Sequence, residues 1–296
     1  MLNNLIVNDR VRLFSVFAFI IIVWGFAMPI NKIGLDYLTP IWYTAIRTVV
    51  GTLTMMVLVL MLNKFTWPDW RDAPLILAIG IIQITLYVVF LNVGLAYIPA
   101  GRTAILSYTT PLWIMPLTIL FFREKPKLSQ WIGFLAGIGG LMLLLCPWEM
   151  DWSNRKVIFG AFMALLSSLA WAISILCARY MKWHKSPLEL IPWQLLLGTI
   201  PILAFAWYKE PLPSLRFLHP AALFSLIYMG VLVAGISYWA SLIINKELPS
   251  LTVSLGSLSI PLISLVSSII FLHEPVTILT VSAMALILLG VVCVAI

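Results

Sequence analysis

The sequence predicts an all-α integral membrane protein of ten transmembrane helices, built as two inverted five-helix repeats around a central cavity. Three observations carry this. Apolar runs of spanning length fill the chain, charge other than Arg47 gathers in the short segments between them or at their ends, and the second half matches the first at a nearly constant offset.

Of 296 residues, 62% are hydrophobic and 10% charged, with a mean hydropathy of +1.06, whereas soluble domains carry roughly 25% charged residues. A spanning helix needs about 20 mostly apolar residues, so the chain holds about ten of them and leaves no room for a soluble catalytic domain. The net charge of +7 comes from 18 Lys and Arg scattered among short loops. That distribution encodes orientation in a membrane rather than nucleic-acid binding. Cys146, Cys177 and Cys293 fall in apolar segments at unrelated spacings, so neither a disulfide framework nor a metal site is indicated, and no cofactor is implied. Arg10 and Arg12 precede an apolar run too long for a signal-peptide core and without an A-x-A site, so the segment is expected to remain as the first helix.

Apolar runs bounded by charges or Pro place the helices near 12–33, 40–62, 73–97, 101–122, 128–147, 156–180, 188–208, 219–245, 250–272 and 276–296. Backbone groups in hydrocarbon must bond internally, and the alternating ten-residue pattern of a closed barrel is absent, so helices are the expected solution. With a cytoplasmic N-terminus, the inner segments of the first half carry seven basic residues (Arg10, Arg12, Lys64, Arg71, Arg123, Lys125 and Lys127), against Lys32 and Arg102 outside. This bias predicts that both termini face the cytoplasm of a cell (inner) membrane protein.

At an offset of 147, Trp24 matches Trp171, Pro40 matches Pro187, Gly51 matches Gly198 and Thr52 matches Thr199. A three-residue insertion shifts the offset to 150, where Pro99 matches Pro249, Ser107 matches Ser257, Pro111 matches Pro261, Glu124 matches Glu274 and Gly140 matches Gly290. The repeats are expected at 1–150 and 151–296. Five crossings per repeat put the second copy into the membrane from the opposite side, the inverted arrangement of many secondary transporters, whose site lies between the repeats near the midplane.

These residues resemble the EamA-type transporters of the drug/metabolite transporter superfamily. The resemblance is carried by Trp24-Gly25-Phe26 with Lys32, by Arg47, and by Gly94-Leu95-Ala96-Tyr97-Ile98-Pro99-Ala100-Gly101-Arg102. It continues in Tyr108-Thr109-Thr110-Pro111-Leu112-Trp113, Glu124, Gln130 and Gly133, and in the second half in Leu248-Pro249, Pro261, Glu274 and Gly290. It implies ten helices, a cavity lined mainly by helices 1, 3, 4, 6, 8 and 9, and peripheral helices 5 and 10. Arg47 faces Gln194 at the equivalent position of the second half, so a charged site would be asymmetric.

Arg47 is the one cation deep in a span, about 10 Å into a core of about 30 Å. A charge there costs at least ~2.5–3.5 kcal/mol, so it should bind a substrate carboxylate or phosphate, or else cap carbonyls or snorkel to the surface. Trp24, Met28 and Asn31 share one face of the first helix at i, i+4 and i+7, as Ser167, Trp171 and Ser174 do on its counterpart. Gln83 and Tyr87 on helix 3, Thr103, Ser107 and Thr110 on helix 4, Ser237, Tyr238 and Trp239 on helix 8, and Ser254 and Ser257 on helix 9 add polar groups within spans. Such groups line a cavity or hydrogen-bond a neighbouring helix. Pro111 and Pro261, each about ten residues into its helix, are expected to kink it and free a carbonyl, as paired gates or as static bends. Gly133, Gly137 and Gly140 form a small-residue face for an intramolecular contact or, alternatively, a homodimer seam.

All eleven acidic residues and His184, His219 and His273 lie in loops or at helix ends, so no carboxylate or imidazole relay for ion coupling is visible within the spans. The expected function is therefore that of a secondary transporter, an exporter or facilitator of small metabolites such as amino acids or related amphipathic compounds. It would work by alternating access, with membrane lipids as its surroundings. An integral membrane enzyme acting on a lipid-linked substrate is the alternative, but it would need convergent acids, bases or metal ligands near one membrane face, and no H-E-x-x-H motif or Asp-rich cluster is present.

Overall fold

The structure, a computed structural model, describes residues 2–123, 125–145, 151, 153–248, 253 and 256–295. The sequence-predicted features at Glu124, Cys146, Pro249 and Ser254 lie outside these. Seven helices are long and apolar enough to cross a membrane: α1 Val11–Leu35, α2 Pro40–Met61, α3 Trp70–Tyr97, α4 Ala100–Phe122, α6 Arg155–Tyr180, α7 Pro187–Lys209 and α8 Pro220–Ser241. Three apolar helices are shorter: α5 Leu128–Leu144, α9 Ser259–Leu272 and α10 Ile278–Cys293. At about 1.5 Å per residue the described parts of these three are shorter than a core of about 30 Å. No strand occurs among the described residues.

Several helices depart from the uninterrupted rods that the apolar runs predict. The first begins earlier than expected, at Leu2, and breaks at Phe26 between Leu2–Gly25 and Ala27–Leu35. Pro29 explains the break, because it offers no N–H to the carbonyl of Gly25 four residues back. The fourth breaks between Ala100–Ser107 and Thr110–Phe122. In α3 and α8 the segments Ile79–Tyr87 and Tyr228–Ser237 are wound as π-helix, and a shift of 150 nearly superposes the two ranges. Wider turns of this kind concentrate at functional sites.

Helices α2 and α7 cross antiparallel. The Trp42 and Trp207 rings lie 6.4 Å apart near one end, Thr52 meets Thr199 further along, and Met55 packs with Ile191 and Leu195 beyond. Glu210, just past α7, accepts hydrogen bonds from the backbone N–H groups of Ile41 and Trp42 at 3.3 and 2.9 Å, capping the start of α2. Around this pair α3 packs on α6 and α7, α8 on α1 and α2, α4 on α6, and α9 on α1 and α4. Exchanging each helix with the one five places along maps these pairings onto one another.

Glycines set the closest approaches. A Cβ on Gly198 would lie 2.4 Å from the Gly80 carbonyl oxygen and 2.5 Å from Ile84 Cβ, and one on Gly51 would lie 3.0 Å from Ala234 Cβ and 3.4 Å from the Gly230 oxygen. Gly80 and Ile84 stand 150 residues before Gly230 and Ala234. The small-residue face of α5 packs within the molecule. Cβ atoms on Gly140 and Gly290 would lie 2.7 and 2.5 Å from the carbonyls of Ala283 and Gly133. The left-handed residues Arg123 and His273, φ 53° and 52°, end α4 and α9, again 150 apart.

Candidate functional site

A cavity of about 350 Å³ opens mainly between α1, α2, α3, α4, α6, α8 and α9, with Leu195 of α7 and Val291 of α10 completing its wall. It is within the usual range for a small-molecule site, roughly 300–1,000 Å³. Trp24, Met28 and Asn31 enter it from α1, Arg47 from α2, and Gln83 and Tyr87 from α3. Ser107, Thr110 and Pro111 reach it from α4, Trp171 from α6, and Tyr238 from α8, with Ser257 beside the start of α9. Of the residues predicted for the site, Ser174, Trp239 and Pro261 lie outside this lining. Ser174 is buried and its hydroxyl donates to the Trp171 carbonyl at 2.8 Å. Trp239 packs against the Met55, Ile84, Ile191 and Leu195 cluster, and Pro261 is buried in the first turn of Ser259–Leu272.

The walls are mainly aromatic and aliphatic. The Tyr87 and Trp171 rings lie 4.7 Å apart at a tilt of 44°, which brings helices of the two halves together, and Tyr238 Oη donates to Gln83 Oε1 at 3.5 Å. Both π-wound segments contribute, Gln83, Ile84 and Tyr87 from one, Met229, Val233 and Ala234 from the other. In the first, the Thr85 hydroxyl reaches the carbonyls of Gly80 and Gly198 at 3.2 and 2.8 Å.

Pro111 does not kink a continuous helix and does not leave a free carbonyl. It occupies the first turn of Thr110–Phe122, where its missing N–H would be unpaired in any case. The Ser107 carbonyl, four residues back, receives the Thr110 hydroxyl instead at 2.9 Å. Trp113 Nε1 then donates to Ser168 Oγ at 2.8 Å, tying the new helix to α6.

Arg47 is 5% exposed, so it neither snorkels nor sits idle in lipid. Its Nε and Nη1 are buried and have no hydrogen-bond partner, as do Trp24 Nε1, Asn31 Oδ1 and Ser264 Oγ, all on residues that line the cavity. Buried polar groups without partners are rare and costly, about 1–3 kcal/mol each and more for a charged group. No Asp or Glu occurs among the lining residues, so the guanidinium has no internal counter-ion there. Among the described residues, no group of three or more His, Cys, Asp or Glu converges.

The sequence reading missed Tyr108 and Ser264 as lining residues, and also Asn92, an amide in an apolar run. Asn92 joins Asn31 to Thr44 through hydrogen bonds of 2.6 and 2.7 Å. A lone amide within a span could have flagged it, since such groups need a buried partner.

Comparison with known proteins now fixes the family. The profile of the EamA-like transporter family matches residues 13–146 and 158–296. The chain belongs to the EamA-like transporter family. This EamA-like chain is 28% identical over 281 residues to an uncharacterized transporter of Archaeoglobus fulgidus, covering 93% of the chain and 96% of that protein. It is 26% identical over 290 residues to the uncharacterized transporter YvbV of Bacillus subtilis, covering 95% and 91%. A more distant relative, 22% identical over 262 residues and covered to 86% and 83%, is a probable terminal-alkyne amino-acid exporter of Streptantibioticus cattleyicolor. A solved crystal structure matches with a TM-score of 0.65 and 17% identity over 93% of this chain and 97% of that one, a likeness of fold. The apolar helices and this membership make the protein a multi-pass membrane protein of a transporter family.

Proposed function

We propose that this EamA-like protein is a secondary transporter, an exporter or facilitator, that carries small amphipathic carboxylates across the cell (inner) membrane without altering them chemically. One observation carries the reading. A buried guanidinium with unpartnered N–H groups lines a mainly aromatic and aliphatic cavity whose lining residues include no carboxylate. A planar guanidinium binds carboxylate oxygens bidentately, and the tilted Tyr87 and Trp171 rings offer a flat apolar wall for the rest of the molecule. The relative named a probable terminal-alkyne amino-acid exporter would handle a substrate of that chemistry.

In this reading all ten helices cross the bilayer, as two inverted repeats at 1–150 and 151–296 with both termini cytoplasmic. The antiparallel crossing of α2 and α7, the equivalent glycine contacts and the paired π-wound segments support the repeat. The cavity lies between the halves, so rocking one against the other would expose it to each side in turn. The helix break beside Pro111 and the first turn of Ser259–Leu272, which holds Pro261, are the points at which such motion would be absorbed. Thr110–Phe122 can tilt without stretching a continuous hydrogen-bond ladder.

The test is counterflow. Purified protein in liposomes preloaded with unlabelled 3-phenylpropionate should accumulate external labelled 3-phenylpropionate above protein-free liposomes, and chromatography should recover the label unchanged. Absence of flux for this and other amphipathic carboxylates, or chemical conversion of the label, would refute the reading.

A further inference from the structure

We infer that Asn31 is a specificity-determining residue, held so that its amide oxygen faces the cavity, and that the transporter therefore selects carboxylates bearing an N–H or O–H donor on the neighbouring carbon, as in α-amino and α-hydroxy acids. The inference rests on the carboxylate-binding reading above and adds the group that recognises the second polar function of the substrate.

The argument begins at a backbone carbonyl. Thr44 Oγ1 lies 2.6 Å from the Pro40 carbonyl oxygen. Two oxygens approach so closely only with a proton between them, and a carbonyl has none, so the single hydroxyl proton of Thr44 is committed to Pro40. Toward Asn92, 2.7 Å away, Thr44 can then only accept, which forces the Asn92 nitrogen to face it. The Asn92 oxygen is thereby turned to Asn31, and at 2.6 Å it accepts from Asn31 Nδ2. The end of the chain has no freedom left, and Asn31 must present Oδ1. That oxygen is buried, finds no donor in the protein and belongs to a cavity-lining residue.

All three members, Asn31, Asn92 and Thr44, are 0% exposed, so water does not compete to reverse the relay. An amide free to flip would offer a donor or an acceptor indifferently. This one is polarised from Pro40 through three helices. Thr44 and Arg47 stand three residues apart on one face of α2, and Asn31 and Arg47 line the same cavity. Donors and an acceptor on the wall of one cavity match a carboxylate flanked by an ammonium or hydroxyl. A plain carboxylate would leave Asn31 Oδ1 desolvated and unpaired, and sites built to pair a polar group discriminate strongly against ligands lacking it. Thr44 and Asn92 touch no substrate and are positioning residues.

The experiment is calorimetric binding of L-phenylalanine, L-phenyllactate and 3-phenylpropionate to the purified full-length protein. The wild type should bind both donor-bearing probes roughly tenfold or more tighter than 3-phenylpropionate. Thr44→Val removes the hydroxyl at nearly constant shape and should narrow that ratio to under about threefold, whereas Thr44→Ser should keep it, a pattern that packing alone does not produce. Equal affinities in the wild type, or a ratio unchanged in Thr44→Val, would overturn the inference. If Thr44→Val does not yield folded protein, Asn31→Ala serves instead and should equalise the three probes, with a retained ratio counting against the inference. Failure of the underlying reading looks different: none of the probes binds, or Arg47→Lys leaves all three affinities unchanged.

Discussion

The hydroxyls of Thr52 and Thr199 lie 3.3 Å apart, although the residues are 147 positions apart in the chain. That separation is the offset at which the two halves of the sequence match. In the proposed arrangement of two inverted repeats, a residue that touches its own counterpart lies on the axis relating them, where a rocking motion would displace it least. In a variant free of native Cys, Thr52→Cys with Thr199→Cys should therefore cross-link under mild oxidation, detected by a mobility shift after cleavage between the halves. Counterflow in the cross-linked protein should stay within about twofold of the reduced form. Abolished flux would mean that α2 and α7 slide past each other during transport.

The equivalent glycine contacts are not equally tight. A Cβ on Gly198 meets the Gly80 carbonyl and Ile84 at distances no real contact sustains, while one on Gly51 meets the Ala234 methyl at 3.0 Å. Gly198→Ala should destabilise by about 1–3 kcal/mol through forced backbone shifts, and Gly51→Ala by less than about 1 kcal/mol, its strain partly offset by alanine's helix preference. Thermal unfolding of the two variants in detergent checks the order. Equal melting temperatures would contradict it.

Much of this arrangement was legible in the sequence, and the rest failed for definable reasons. Trp24, Met28 and Asn31 followed from helical spacing, and Arg47 from the cost of a charge at depth, since both signals are local. The same spacing placed Ser174 with Trp171, but Ser174 bonds the Trp171 carbonyl instead. A serine's choice between a cavity and its own helix is decided by short-range geometry that periodicity does not encode. Proline positions foretold interruptions, yet not that Thr110 would satisfy the carbonyl Pro111 leaves. The relay through Asn92 depends on contacts across three helices and has no sequence period at all.

No Asp, Glu or His lines the cavity, and an Arg guanidinium keeps its charge at any working pH. Counterflow of a carboxylate probe should therefore vary by less than about threefold between pH 6 and pH 8 and need no imposed proton or sodium gradient, because a protonation-coupled carrier uses a buried carboxylate or His. A steep pH dependence in proteoliposomes would place an essential titrating group outside the cavity described.

Trp171 packs on Tyr87 across the cavity, so Trp171→Ala removes a wall rather than a core plug. Transport should fall more than the yield of folded protein measured by gel filtration, and Trp24→Ala should behave alike. Parallel losses of activity and folded protein would return both residues to a packing role.

The buried Arg47 guanidinium is the centre of the account, and the flux of a matched pair of solutes through Arg47→Lys tests it most directly. Lysine keeps the charge but loses the planar fork. In proteoliposomes, flux of 3-phenylpropionate should fall roughly tenfold, while flux of its neutral counterpart 3-phenylpropionamide should change by less than about twofold. Equal losses for both solutes, or no loss for the acid, would contradict the assignment of Arg47 as the carboxylate-binding residue.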